Sequence, residues 1–225
     1  FVLISDLHLE KWKDSVDWSG PTALIAVVAG NVSSDLDRVI FELRRMSEIY
    51  QQVLYLDGWS ENENINAIFK TRQYLRKQIQ KMNRPNVTYM LEQVMVADEV
   101  AFVAANLWWH PTQNESDLRT LNRLIELHHS DLEFLKYSIH RLQDYPVNRI
   151  VPITTTPPTG ITNNAGASDA ILSFDTQRKI RHWVFGNVEF SVELFKKNCY
   201  FLANPRSTPE KSTGLTYHPK SIAVI

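Results

Sequence analysis

Five short polar motifs in this chain each follow an apolar run. They are Ser5-Asp6-Leu7-His8, Gly30-Asn31, Gly58-Trp59-Ser60-Glu61, Thr154-Thr155-Thr156-Pro157-Pro158 and Gly186-Asn187-Val188-Glu189. Together they hold carboxylates, an imidazole, amides and hydroxyls, the groups that donate lone pairs, move protons or bind by hydrogen bonds. In an α/β sheet, motifs of this kind stand at the carboxyl ends of strands, where the loops converge over one sheet edge. The spacing therefore predicts one composite site built from distant parts of the chain.

The elements that must position these residues are readable. Residues 2–4, 22–29 and 53–56 are short apolar runs stopped by Gly or a polar turn, which predicts strands buried on both faces. Residues 34–50 carry Leu36, Val39, Ile40, Leu43 and Met46 at helical spacing, with Ser34 as the N-cap. Strand, helix, strand in that order predicts a βαβ unit and an α/β sheet. Residues 61–82 read as a second helix. Residues 86–91 and 94–107 read as strands, with a hairpin turn at Ala97-Asp98-Glu99. Residues 117–142 read as helical, with a break at His128-His129. A strand over 150–153, a loop over 160–168, a short helix over 175–181 and a strand over 182–185 follow. Residues 188–225 read as strands and turns. No repeat, low-complexity tract or linker interrupts the chain, so residues 1–225 are expected to form a single domain.

Composition narrows the function classes. The chain has 225 residues, 44% of them hydrophobic, enough for a sizeable core. Its formal net charge is -1, which gives no global electrostatic case for nucleic acid or an anionic membrane. No run is long and apolar enough to span a bilayer. The single cysteine, Cys199, excludes an intrachain disulfide and fits an intracellular, cytoplasmic reducing compartment. The sequence opens directly into a strand-like run, without Met or a signal peptide. Asn31, Asn86 and Asn114 head N-x-[ST] sequons, expected to be chance matches in this setting.

The five motifs resemble, in order and spacing, the signature blocks of the calcineurin-like metallophosphoesterases: D-x-H, G-D, G-N-H-[DE], a later His block and G-H-x-H. Asn106-Leu107-Trp108 is similar to a T-L-W segment of a bacterial-type branch, and Asn204-Pro205-Arg206 with residues 221–225 to the closing hairpin. The resemblance covers essentially the whole chain. It implies a four-layer αββα sandwich of two mixed sheets flanked by helices. In that family, two divalent metals about 3.5–4 Å apart activate a water for phosphoester attack.

Position by position, the resemblance implies a degenerate centre. Asp6 and His8 match D-x-H, and Asn31 stands where the bridging Asp belongs. Trp59 replaces an Asn ligand, and an indole N–H cannot ligate a cation. Ser60 replaces the His that protonates the leaving group, and a serine hydroxyl is far too weak an acid for that role. Thr155 or Thr156 replaces the loop His, and Asn187 and Glu189 replace the two histidines of G-H-x-H. The vestigial second-metal positions are thus Trp59, Thr155 and Asn187. The first-metal set becomes Asp6, His8, Asn31 and Glu189, each still able to donate an oxygen or nitrogen, which favours either no cofactor or a single Mg or Mn ion.

Structural alternatives stand beside these roles. Asp6 and His8 also suit hydrogen bonds beneath the sheet edge, Glu189 a surface pair with Arg181 or Lys179, and Trp59 a plug for the vacated hole. The basic run Lys70, Arg72, Arg76, Lys77, Lys81 and Arg84 reads as a solvated helix face. His128-His129 reads as a helix surface or junction, Trp108-Trp109 as packing, and Cys199 as an inert buried thiol. The expected function is a pseudoenzyme serving protein contact, with a larger assembly such as a virus particle as its expected setting. The alternatives are a weak one-metal phosphoesterase and a nucleotide-sensing binder.

Overall fold

In the computed structural model, the apolar runs form strands of two sheets. The structure describes residues 1–18, 23–108, 117–158, 167–210 and 217–223. Trp109, the Asn114 sequon and residues 160–166 and 224–225 fall outside them.

In the first sheet β1 (Val2–Ile4), β2 (Ile25–Ala29), β3 (Gln52–Leu56) and β4 (Val87–Tyr89) run parallel in that order. β11 (Lys220–Ser221) pairs antiparallel with the outer edge of β1. The second sheet has the order β5 (Gln93–Ala97), β6 (Val100–Ala104), β7 (Arg149–Thr154), β8 (His182–Phe185), β10 (Cys199–Ala203), β9 (Val192–Lys196). Its four central strands are parallel and both edges are antiparallel. Helices α1 (Leu36–Ser47) and α2 (Ile68–Lys81) cover the outer face of the first sheet. Helices α3 (Leu118–Gln143) and α4 (Ala167–Leu172) cover that of the second. The architecture is the expected αββα sandwich.

Period-two burial explains why the strands read as unbroken apolar runs. In β2, Ala26 and Val28 meet the helices, whereas Val27 and Ala29 face the other sheet. Both faces are dry, so no polar alternation is needed. Leu54, Leu56, Phe102, Val151 and Val184 fill the space between the sheets.

Local details differ from the sequence expectations. Asp35 rather than Ser34 caps α1, accepting hydrogen bonds from the Asp37 and Arg38 N–H groups. Residues 61–67 form a turn and a short 3-10 segment, so α2 starts only at Ile68. Helix α3 runs unbroken through His128-His129, because the buried His128 Nδ1 hydrogen-bonds with the Trp108 carbonyl while His129 faces solvent. Residues 175–181 form a turn, not a helix. The Asp175 carboxylate accepts from the Lys179 and Ile180 N–H groups and ties the turn down. The short helix lies earlier, at α4. Among the described residues, no helix is long and apolar enough to cross a membrane.

Candidate functional site

The polar motifs end β1, β2, β3, β7 and β8, and residues from all five meet at one edge of the sandwich, the β8 motif through the Asn187 backbone. Asp6 is fully buried. Its Oδ1 accepts from the Asn31 Nδ2 at 2.7 Å and from the Asn187 backbone N–H at 2.8 Å. Its Oδ2 is buried without a hydrogen-bond partner. The Asn31 Oδ1 accepts from the Ser60 N–H at 2.9 Å, so both ends of that amide are committed. Ser60 Oγ and His8 Nδ1 share a 3.2 Å hydrogen bond, and Glu10 Oε1 stands 3.5 Å from the same ring nitrogen. Thr155 reaches the site from the second sheet and packs where a Cβ on Gly30 would stand.

Burial is the largest single influence on Asp6, His8 and Glu10, but it sets the direction only for Asp6. Desolvation pushes the Asp6 carboxyl up to about 6, against the pull of the Asn31 and Asn187 donors. Burial disfavours the charged His8 ring, but the Glu10 and Asp6 carboxylates outweigh it and hold the imidazole above its ordinary range. Burial likewise opposes the Glu10 anion, yet His8 and the Ser34 N–H hold it down at about 2.

Glu61 is the member whose role the sequence did not disclose. Its buried carboxylate accepts from the N–H groups of Asn31 at 3.1 Å, Val32 at 2.8 Å and Gly58 at 2.8 Å. It therefore ties the loop after β2 to the loop after β3. Desolvation raises it to about 7 despite those donors. The signal was present as the fourth residue of Gly58-Trp59-Ser60-Glu61, but its targets are backbone atoms that only the fold brings near.

The loop conformations are specialised. Asp6, His8, Asn31 and Asn187 all adopt positive φ, at 50°, 45°, 56° and 59°. Asp, Asn and His tolerate this left-handed region better than most side chains, and such strain gathers at functional sites. Gly186 allows the two sheets to touch, since a Cβ there would lie 2.2 Å from the Ala29 carbonyl oxygen.

A buried polar network supports the site from below. Asp57 Oδ2 accepts from Asn62 Nδ2 at 2.6 Å and Arg72 Nε at 3.3 Å, and its Oδ1 accepts from the Tyr89 hydroxyl at 2.7 Å. Arg72 Nη2 donates to Asn106 Oδ1 at 2.7 Å, and Asn106 Nδ2 donates to Thr155 Oγ1 at 3.1 Å and to the Asp57 carbonyl. Asp131, on α3, accepts from the Leu107 N–H at 2.9 Å. The network joins both sheets through α2 and α3.

Other predicted positions lie apart. Trp59 is half-buried and stands edge-to-face with Trp108 at 5.1 Å, packed on Ile65, Ile68, Leu124 and Leu127. Asn187 and Glu189 are exposed, and Asn187 serves Asp6 through its backbone. Lys179 is not placed for Glu189: its Nζ donates to the carbonyls of Leu142, Gln143 and Tyr145 at the end of α3. Burial pushes the Cys199 thiol up to about 12, which leaves it inert near neutral pH. Within the basic run, Arg72 is buried in the network and Arg84 pairs with Glu48 at 3.0 Å.

These positions bear on a metal. Among the described residues, no three His, Cys, Asp or Glu side chains are grouped to hold one. Asn31 turns an N–H, not a lone pair, toward Asp6. The arrangement does not fit a carboxylate-bridged pair of cations. One oxygen open to a single cation is the unpartnered Asp6 Oδ2.

Comparison of the whole fold gives structures of similar architecture. Phosphopantetheinyl hydrolase (PptH) from Mycobacterium tuberculosis superposes with a TM-score of 0.60 at 13% identity, covering 93% of this chain and 90% of that one. The fold is of the metallophosphoesterase type. A Staphylococcus aureus protein assigned as a 5′-nucleotidase superposes with a TM-score of 0.52 at 13% identity, over 94% of this chain and 48% of that one. In sequence, the uncharacterized protein L509 of Acanthamoeba polyphaga mimivirus is 24% identical over 131 residues. That match spans 51% of this chain and 46% of the viral protein, about half of each. No family model matches the sequence.

Proposed function

We propose that this metallophosphoesterase-fold chain has lost two-metal phosphoester hydrolysis and serves as a protein-interaction module within an intracellular assembly such as a virus particle. The observation that carries the proposal is the 2.7 Å hydrogen bond from Asn31 Nδ2 to Asp6 Oδ1. Two cations held close together need a bridging carboxylate to offset their repulsion, and the amide supplies a proton donor there instead. Ser60, at the leaving-group position, supports the same reading, since its hydroxyl is too weak an acid to protonate an alkoxide. The mimivirus relative supports the viral setting. Purified protein with Mn²⁺ and a generic phosphodiester is expected to turn over no faster than Asp6→Ala. Hydrolysis at an enzyme's rate, abolished by that substitution, overturns the proposal.

A second reading, favoured by the buried unpartnered Asp6 Oδ2, is a weak one-metal phosphoesterase using Asp6, His8, Asn31 and Glu189 with Mg or Mn. Elemental analysis after Mn²⁺ saturation and gel filtration tests it. Absence of bound metal removes it.

A further inference from the structure

Away from the sheet edge, α2 and the N-terminal half of α3 leave a groove between them. Two adjoining cavities, of about 500 and about 650 Å³, share Phe69, Arg123 and Glu126 in their walls. Among the described lining residues, four arginines, Arg72, Arg76, Arg119 and Arg123, stand beside two carboxylates, Glu92 and Glu126. Arg72 is held by Asp57 and Asn106, and Arg123 lies 4.4 Å over the Phe69 ring and 3.0 Å from Glu126. Arg76 and Arg119 are exposed on opposite walls. Between these cations lie large apolar side chains left in water, with Phe69 66% and Leu118 72% exposed. Phe69 and Leu118 line the same cavity, so both face one shared space.

We infer that this groove binds an acidic, amphipathic segment of a partner protein, its apolar residues on Phe69 and Leu118 and its carboxylates on Arg76 and Arg119. With Arg72 paired to Asp57 and Arg123 to Glu126, the exposed Arg76 and Arg119 remain for an anionic partner against Glu92 alone among the described lining residues, and Arg pairs with carboxylates in a bidentate fork. The apolar positions select a segment with hydrophobic anchors, as in helix-in-groove recognition. Nucleic acid fits less well, because a phosphate backbone has no apolar side chains to lay on Phe69 and Leu118. The inference rests on the interaction-module reading and names its surface.

The test uses a fluorescent amphipathic peptide with Leu and Phe one helical turn apart and glutamates between them. Controls are the same peptide with lysines for glutamates, and a single-stranded DNA of equal length. Saturable binding of the acidic peptide alone is expected. The exposed-site double variant Arg76→Glu/Arg119→Glu and, separately, Phe69→Ser should each weaken it about tenfold or more. Melting curves confirm that both variants fold. The inference is overturned by absent binding, by equal affinity of the variants, or by DNA binding as tightly as the peptide. A Phe69-dependent dimer in sedimentation, with no peptide bound, also overturns it by assigning the groove to a second copy. The hydrolysis assay reports on the parent proposal independently of these outcomes.

Discussion

Asn and Asp differ by one terminal group, and at position 31 that group decides the character of the site. An Asp there would set two carboxylates against each other beside β1 and β2. Asn31 instead joins Asp6 to Ser60, with its N–H on the former and its carbonyl on the latter. Replacing Asn31 with Asp removes the donor and buries a second charge. We expect a loss of roughly 2–4 kcal/mol at pH 8, recovered in part by millimolar Mn²⁺. Thermal melts with and without Mn²⁺ check this, and a variant as stable as the parent in both buffers counts against it. The participants at this scale were legible, because Asp6, His8, Asn31 and Ser60 are named by their motifs. Their hydrogen-bond partners were not. The direction of an amide and the three backbone donors on Glu61 depend on how neighbouring loops meet.

The doubly buried strands were legible because each run is apolar on both faces. Errors fell where one side chain overrules a local pattern. The Asp175 carboxylate fastens a turn where the sequence predicts a short helix, and the His128 ring bonds the Trp108 carbonyl so that α3 continues through a pair of histidines. Lys179 provides a third case, because a lysine beside β8 reads as a surface charge. It is buried, and it closes α3 by donating to three terminal carbonyls at 2.7–3.0 Å. Its cation also complements the negative end of the helix dipole. Lys179→Met keeps the apolar stem and removes a charged donor from all three carbonyls, of which those of Leu142 and Tyr145 keep backbone donors. We expect it to cost about 2–4 kcal/mol in urea denaturation, against a small effect of Lys77→Met on exposed α2. Equal midpoints for the two variants would show that the cap contributes nothing.

Across the whole molecule, the Asp57–Arg72–Asn106 network binds the two sheets together, with Asp131 on α3 beside it. The network was invisible in the sequence, since its partners stand 15 to 49 positions apart. Desolvation raises Asp131 from its ordinary 3.8 to about 7; the nearby Arg72 pulls it down and Glu92 pushes it up. A raised carboxyl takes up a proton on folding. Its stabilising contribution is full below pH 3.8 and is lost as pH rises through about 7. Glu61 and Asp6 act with the same sign. Asp131→Asn should therefore flatten, without abolishing, the fall in melting temperature between pH 4 and pH 7. An unchanged slope would mean that Asp131 does not titrate there.

The assignment of strands to sheets has a consequence for synthesis. β1 to β4 are complete by Tyr89, together with the helices that cover their outer face. Their inner face, with Leu3, Val27, Leu54 and Leu56, is covered by strands that end only at Ala203. At about 5–20 residues per second, the ribosome leaves a half-sandwich with one naked apolar face for roughly 6–20 seconds. During that interval the nascent chain is a substrate for chaperones and for its own neighbours on a polysome, and the late second sheet ends the exposure.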